Sequence, residues 1–320
     1  MIKFITFAVK VQLNVHDLNN EAIAGNVTDI RIMEFLDENG KRIEAPAVSG
    51  RMLKHWHCEI MRHLIVNGTY TSIPLCAGCK IGEPIRPAVF SDGKLQQIKP
   101  QSLEDEETFV KNCAICDIHG YLIAQEAGGR IPLRRSSRAL FSWLMPVLDL
   151  DNDNIAQKQV VHSRVSQQET IAEGKGAAQM IFYKSYASGI YAFVSAFDVD
   201  RVGLVELNLN KDNSYVVDDN ERKNRIKVAI EAYRLMISGQ IGASLSHALP
   251  HQRPVEILVA YSETGPLPFS VSPMYSDFLI KTKGLMPRGT TFLYWGSESP
   301  SEVTKKNTID EIFQELLSKV

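Results

Sequence analysis

Residues 178–199 read AQMIFYKSYASGIYAFVSAFDV, and the fold turns on how that stretch is cut. Two apolar, β-branched and aromatic runs flank Ala187-Ser188-Gly189. Small residues between two such runs predict a hairpin, with Tyr191, Phe193, Ser195, Phe197 and Val199 on one face of the returning strand. Working outward, residues 221–238 carry Ile226, Ile230, Tyr233 and Ile237 at helical spacing and end at Gly239, and PVEILVAYS at 254–262 reads as a strand. Toward the N-terminus, Ile5, Phe7, Val9, Val11, Leu13 and Val15 alternate with more polar residues, which predicts a half-buried strand. TDIRIMEFL at 28–36 predicts another, ended by the turn at 37–40, and KQVVHSRV at 158–165 a third. Ser49 is an N-cap for a helix to Val66, with Leu53, Trp56, Ile60, Met61 and Leu64 as its apolar stripe.

With insertions set aside, the order is strand, helix, strand, strand, helix, strand. That is an α+β, ferredoxin-like or RRM-like core (βαββαβ). The expected layout is a first core half at 1–66, a cysteine-containing insertion at 67–130 and a second core half at 131–262. A loop-rich insertion at 263–307 and a C-terminal helix at 308–320, opened by the capping pair Thr308 and Glu311, complete it.

The chain has 320 residues, 44% apolar and 22% charged, enough for a sizeable core without staples. Lys and Arg total 35 against 37 Asp and Glu, a balance of −2 that excludes a globally basic nucleic-acid binder but not a local cationic groove. No run of 18 apolar residues spans a membrane, and MIKFITFAVKVQLNV lacks the apolar block of a signal peptide, so a cytoplasmic protein is expected.

Cys76, Cys79, Cys113 and Cys116 form two C-x-x-C pairs separated by 33 residues. In such a chain that spacing points to a tetrahedral zinc site before a disulfide, with His119 as an alternative ligand. Buried unpaired cysteines are the plain competing reading. Arg130, Arg134, Arg135 and Arg138, with Ser136 and Ser137, place four guanidiniums and two hydroxyls within nine residues, a donor set that matches phosphate. Ser49, Gly50, Arg51, Lys54 and His55 add a helix N-terminus and a basic strip, whereas His57 falls on the apolar side as a core histidine. His162 and Arg164 share one strand face, and Gly242, Ser244 and Ser246 sit in a small-residue loop. No P-loop, nucleophile elbow or H-E-x-x-H pattern is present in the sequence.

SGRMLKHWH at 49–57, RIPLRRSSRALFSWLMP at 130–146, HSRV at 162–165, QMIFYKSYASGIYAFVSAFDVDRVG at 179–203 and GASLSHALP at 242–250 together resemble the DevR family of CRISPR-associated proteins, nearest its type I-A branch. The resemblance covers nearly the whole chain. It implies a hand-like RRM core that binds crRNA as the repeated backbone subunit of a type I surveillance complex (Cascade). Copies would line up head to tail along one guide, grip its backbone, and leave the bases free to pair with target DNA beside other Cascade subunits. It implies no enzymatic activity. The alternative is a metal-dependent ribonuclease of the type III backbone kind, which uses an aspartate after the first strand; Asp17 and Asp29 lie near that position.

Overall fold

The computed structural model describes residues 1–18, 20–24, 26–124, 131–148, 155–165, 179–207, 214–239, 249–298, 300–301 and 303–320. In chain order, β1 (Phe4–His16), β2 (Asn20–Ala24), β3 (Val27–Ile30), β4 (Ile32–Leu36) and β5 (Arg42–Pro46) precede helix α1 (Gly50–Val66). A segment of short elements follows: α2 (Ala77–Ile81), β6 (Ala88–Ser91), β7 (Lys94–Gln97), α3 (Asp105–Asn112), α4 (Ala114–His119), β8 (Tyr121–Ile123) and β9 (Leu133–Arg135). Then come β10 (Ala139–Phe141), β11 (Met145–Pro146), β12 (Ala156–Val165), β13 (Gln179–Asp198), α5 (Asp219–Ser238) and β14 (His251–Ser262). The chain closes with α6 (Phe278–Leu285), β15 (Thr291–Trp295), β16 (Thr304–Lys305) and α7 (Ile309–Ser318).

One mixed α/β architecture results. β1 lies at the centre of the sheet, antiparallel to β13 on one edge (Phe4 opposite Asp198) and to β14 on the other (Phe4 opposite Ser262). β15 continues the sheet beyond β14, and β10 and β11 line the far edge of β13. The lateral order is therefore β15–β14–β1–β13–β10, with parallel pairs only at β13/β3 and β15/β16 among the described strands.

The odd-numbered residues of β1 face the helices. Phe7 stacks on Tyr233 of α5 at 4.5 Å between ring centroids and on Phe313 of α7 at 6.3 Å. Phe7, Phe193 and Phe197 have no exposed surface. Each such burial contributes roughly 1.5–3 kcal/mol, and this face anchors α1 and α5. The other face was expected to be wet, yet Thr6 and Ala8 are equally buried. The 263–286 segment covers them: Ala8 packs with Phe278 and Leu279, Phe4 with Leu267, and Ser270 N–H donates to Thr6 Oγ1 at 3.1 Å. That segment holds α6, and β15 follows it, where the sequence suggested only loops.

The hairpin expected at 187–189 does not exist. Residues 179–198 run as one 20-residue strand, with Leu13 opposite Gly189 and His16 opposite Ala187 on one edge, and Ala156 opposite Ser188 on the other. A chain paired on both edges has no room to reverse. The irregularity falls instead in β1, at Val15, whose φ is +56° and whose N–H donates to Ser188 Oγ at 2.9 Å. The true hairpin partner of the first half of β13 is β12, from Ala156 opposite Ser188 to Val165 opposite Gln179. Likewise 28–36 is not one strand: it breaks at Arg31 into β3, which joins the main sheet, and β4, which pairs with β5.

Candidate nucleic-acid interface

Helix α1 begins where its sequence suggests. Ser49 Oγ accepts from Met52 N–H at 3.3 Å. A Cβ at Gly50 would lie 2.5 Å from the Phe141 carbonyl oxygen and 2.7 Å from that of Ser142, so the glycine lets α1 seat against β10 rather than against a ligand. That contact brings the helix start and the 137–143 segment into one cleft of about 540 Å³, lined by Arg31, Ser49, Arg51, Lys54, Ser137 and Trp143 among others. Arg51 and His55 are exposed and Lys54 is half-buried. Arg31 lies over the Trp143 ring at 5.7 Å. Neither Arg31 nor Trp143 was legible as a site residue, because Arg31 sits in the break of what read as a continuous strand.

The arginine cluster splits. Arg134 and Ser136 are exposed, and Ser137 is half-buried with its hydroxyl donating to Ala139 O at 2.6 Å. Arg135 and Arg138 are not groove residues. Arg135 is sealed inside, donating to Glu106 Oε1 at 2.6 Å, Asp117 Oδ1 at 2.5 Å, Asp117 O at 3.0 Å and Leu204 O at 2.8 Å. Arg138 has no exposed surface and pairs with Glu206 at 2.9 Å. Strand β9 alternates its side chains, so neighbours Arg134 and Arg135 point opposite ways. Arg130, Gly242, Ser244 and Ser246 lie outside the described residues.

His162 lies on β12, stacked on Phe182 at 5.2 Å and 3.1 Å from the Tyr186 hydroxyl; Arg164 occupies the same strand opposite Met180. His57 is a core histidine, as expected: fully buried, it meets Ala229 O at 3.0 Å through Nε2 and His119 Nε2 at 3.0 Å through Nδ1. Burial pushes it down to about 3, so the imidazole is neutral. His119 thus faces His57 and not the cysteines. Asp17 is buried and paired with Lys184, and Asp29 accepts from Ser185 Oγ at 2.5 Å.

Each C-x-x-C pair opens a short helix, Cys76 as N-cap of α2 and Cys113 as N-cap of α4. Their four Sγ atoms lie within 4.8 Å of one another, with Cys116 Sγ 3.8 Å from Cys76 and 3.9 Å from Cys79. Four thiolates about 2.3 Å from one ion stand roughly 3.8 Å apart, so the cluster has the dimensions of a tetrahedral metal site. Hydrogen bonds from Cys113, Cys116 and Cys79 hold the Cys76 thiol far below its usual range. The cluster has no separate core around it: Cys79, Cys113 and Cys116 join the same buried cluster as α1 and the main sheet.

Beside this knuckle the basic strip continues. Arg86, not anticipated from the sequence, lines a cleft with Arg51, Lys54, His55, Cys58 and Cys79. It lies between Pro84 and Pro87, where no periodicity signals an element.

Fold and cleft together define a class: a helix-backed, largely antiparallel sheet with a cationic furrow at the start of its first helix. The chain belongs to the DevR/Csa2 family, since the family model described as "CRISPR-associated negative auto-regulator DevR/Csa2" matches residues 7–283. A Methanocaldococcus jannaschii protein named CRISPR-associated protein Cas7/Cst2/DevR is 29% identical over 331 residues, covering 99% of this chain and 98% of its own. A Thermoproteus tenax protein of the same name is 30% identical over 301 residues, covering 88% and 84%. A solved chain described as "CRISPR RNA-guided surveillance complex, pre-nicking" shares the fold, with a TM-score of 0.57 over 99% of both chains at 9% identity.

Proposed function

We propose that the chain is the crRNA-binding backbone subunit of a type I surveillance complex, of the type I-A branch. Its copies assemble head to tail along one guide and present it to target DNA beside other Cascade subunits in the cytoplasm. The observation that carries this reading is the single cleft in which Arg51 and Lys54 of α1 meet Ser137 and Trp143. Cations and hydroxyls there suit a sugar–phosphate edge and read no bases. A subunit that delegates sequence to pairing needs no more. Arg134 and Ser136 extend the furrow, while Arg135 and Arg138 support it from inside. The order β14–β1–β13–β10 around α1 and α5 supports reading the core as RRM-like.

The chain holds RNA without cutting it. Of the two acids near the type III position, Asp17 is buried against Lys184, and Asp29 accepts from Ser185 Oγ. Zinc in the four-cysteine site is structural, since four thiolates close the coordination shell; the site ties α2 to α4. Sequencing the RNA that co-purifies with the chain tests the function: intact, repeat-derived guides are expected. Cut RNA, with cutting lost in Asp17→Ala or Asp29→Ala, would favour the ribonuclease. About one zinc per chain in tag-free protein is the expected metal content.

A further inference from the structure

Two cations sit beside the four-cysteine centre, and no carboxylate among the described residues pairs with either. Arg86 donates to Cys58 Sγ at 3.4 Å, the one hydrogen bond of its guanidinium among the described residues. Lys54 makes no ion pair among the described residues. Burial, and then Arg86 itself, lower the Lys54 ammonium below its ordinary value. Of the acids in the cleft, Glu59 is taken by Arg62 at 2.8 Å and Glu83 is exposed. The Cys58 thiol is no counter-ion, because burial raises it and keeps it protonated. A hollow that Lys54 and Arg86 also line contains Tyr121, whose buried hydroxyl has no hydrogen-bond partner. Two half-buried cations that share one cleft, next to an unused donor, are a site built for an anion.

The cysteines set where Arg86 stands. Arg86 follows Cys79 by seven residues, and the loop between them folds back onto α2 so tightly that a Cβ at Gly78 would meet Ile85 O at 2.0 Å. Gln97 Nε2 pins the Arg86 carbonyl at 3.0 Å. α2 itself has only five residues, with Cys76 and Cys79 among its cap and body, so its position depends on whatever joins those thiols to Cys113 and Cys116.

We propose that Lys54 and Arg86 form a phosphate seat for the guide strand, and that the metal-bound cysteine knuckle is the positioning device that holds Arg86 in it. This rests on the RNA-binding reading above, and names what the metal is for. The knuckle contributes grip through geometry and touches no RNA itself.

The test measures binding of a single-stranded guide RNA to the full-length, metal-loaded chain at several salt concentrations. Each phosphate contact on a single strand adds about 0.7 to the salt slope. Lys54→Met with Arg86→Met removes that one seat and should therefore shrink the affinity lost between about 50 and about 200 mM salt by about 2.6-fold, and Arg86→Lys should keep most of it. Chelating the metal should cost the wild type the increment that Arg86→Met costs, and should cost Arg86→Met nothing more. A full salt slope in the double variant overturns the seat. An equal loss on chelation in wild type and Arg86→Met overturns the coupling, because the metal would then act on folding at large. A wild-type chain that binds no RNA at all fails the functional reading itself, and this proposal with it.

Discussion

Arg135 and Arg86 are both guanidiniums near the same helix, yet they occupy opposite electrostatic worlds. Arg135 is surrounded by acceptors: the carboxylates of Glu106 and Asp117 and three backbone carbonyls. Asp117 in turn holds Arg225 at 3.0 Å and the Gly203 N–H at 2.9 Å, and Glu106 takes the N–H groups of Glu206 and Leu207. Arg86 has the Cys58 thiol, the cysteine centre and a fellow cation, but no carboxylate partner among the described residues. The first arrangement consumes its charge in joining the cysteine-containing segment to α5 and to the chain after β13. The second leaves its charge open to an incoming anion. A count of arginines cannot tell these apart; only the supply of acids from distant segments does.

The sealed side breaks most dramatically. Arg135→Met strands Glu106 and half of Asp117 in the interior, and removing one partner of a buried pair costs about 3–5 kcal/mol. A denaturant midpoint should fall accordingly, while RNA bound by the protein that remains folded keeps its salt slope. Near wild-type stability with a reduced slope would mean that Arg135 faces RNA after all.

The interior also carries a pH signature. Burial pushes His16 down to about 4, although Asp17 pulls the other way, and His16 meets the Tyr191 hydroxyl at 2.9 Å. A histidine depressed in the fold binds its proton more readily unfolded. Its contribution is complete above about pH 6.5 and is lost as pH falls toward about 4. The drop for His16 is about 3 kcal/mol, and His57 adds to it in the same direction. Unfolding midpoints recorded between pH 7 and pH 4 should decline, and less so in His16→Gln. A flat profile would place these imidazoles in water. Next in size is the helix seat. Gly50→Ala pushes a methyl into two backbone carbonyls, an overpacking cost of about 1–3 kcal/mol, read as a lower melting temperature. An unchanged melting temperature would mean that α1 does not rest on β10.

What could be seen beforehand follows from range. Helices α1 and α5, the N-cap Ser49 and the Thr308 cap are local: periodicity and a side chain three residues away settle them. The four cysteines were visible because ligand spacing is short within each pair. The continuity of β13 was not, since a turn at Ala187-Ser188-Gly189 is refused only by partners from 156–157 and 13–16, far off in sequence. The same blindness hid the cover over Thr6 and the fate of Arg135 and Arg138, whose partners Glu106, Asp117 and Glu206 lie on both sides in the chain. Arg86 escaped for the opposite reason: it belongs to no periodic element, and only the folded knuckle delivers it.

The smallest effect draws the sharpest line, because it separates neighbours. Arg134 is exposed on β9 opposite Leu122, one residue from the sealed Arg135. Arg134→Ala touches no buried partner, so stability should stay within about 0.5 kcal/mol. If the furrow runs along the β8–β9 hairpin, the variant lowers the salt slope of RNA binding by about 0.7 and weakens all sequences alike. If the slope holds, the furrow stops at Arg86 and the hairpin faces away from the guide. Loss confined to one RNA sequence would instead make Arg134 a reader of bases, which a backbone-gripping subunit has no use for.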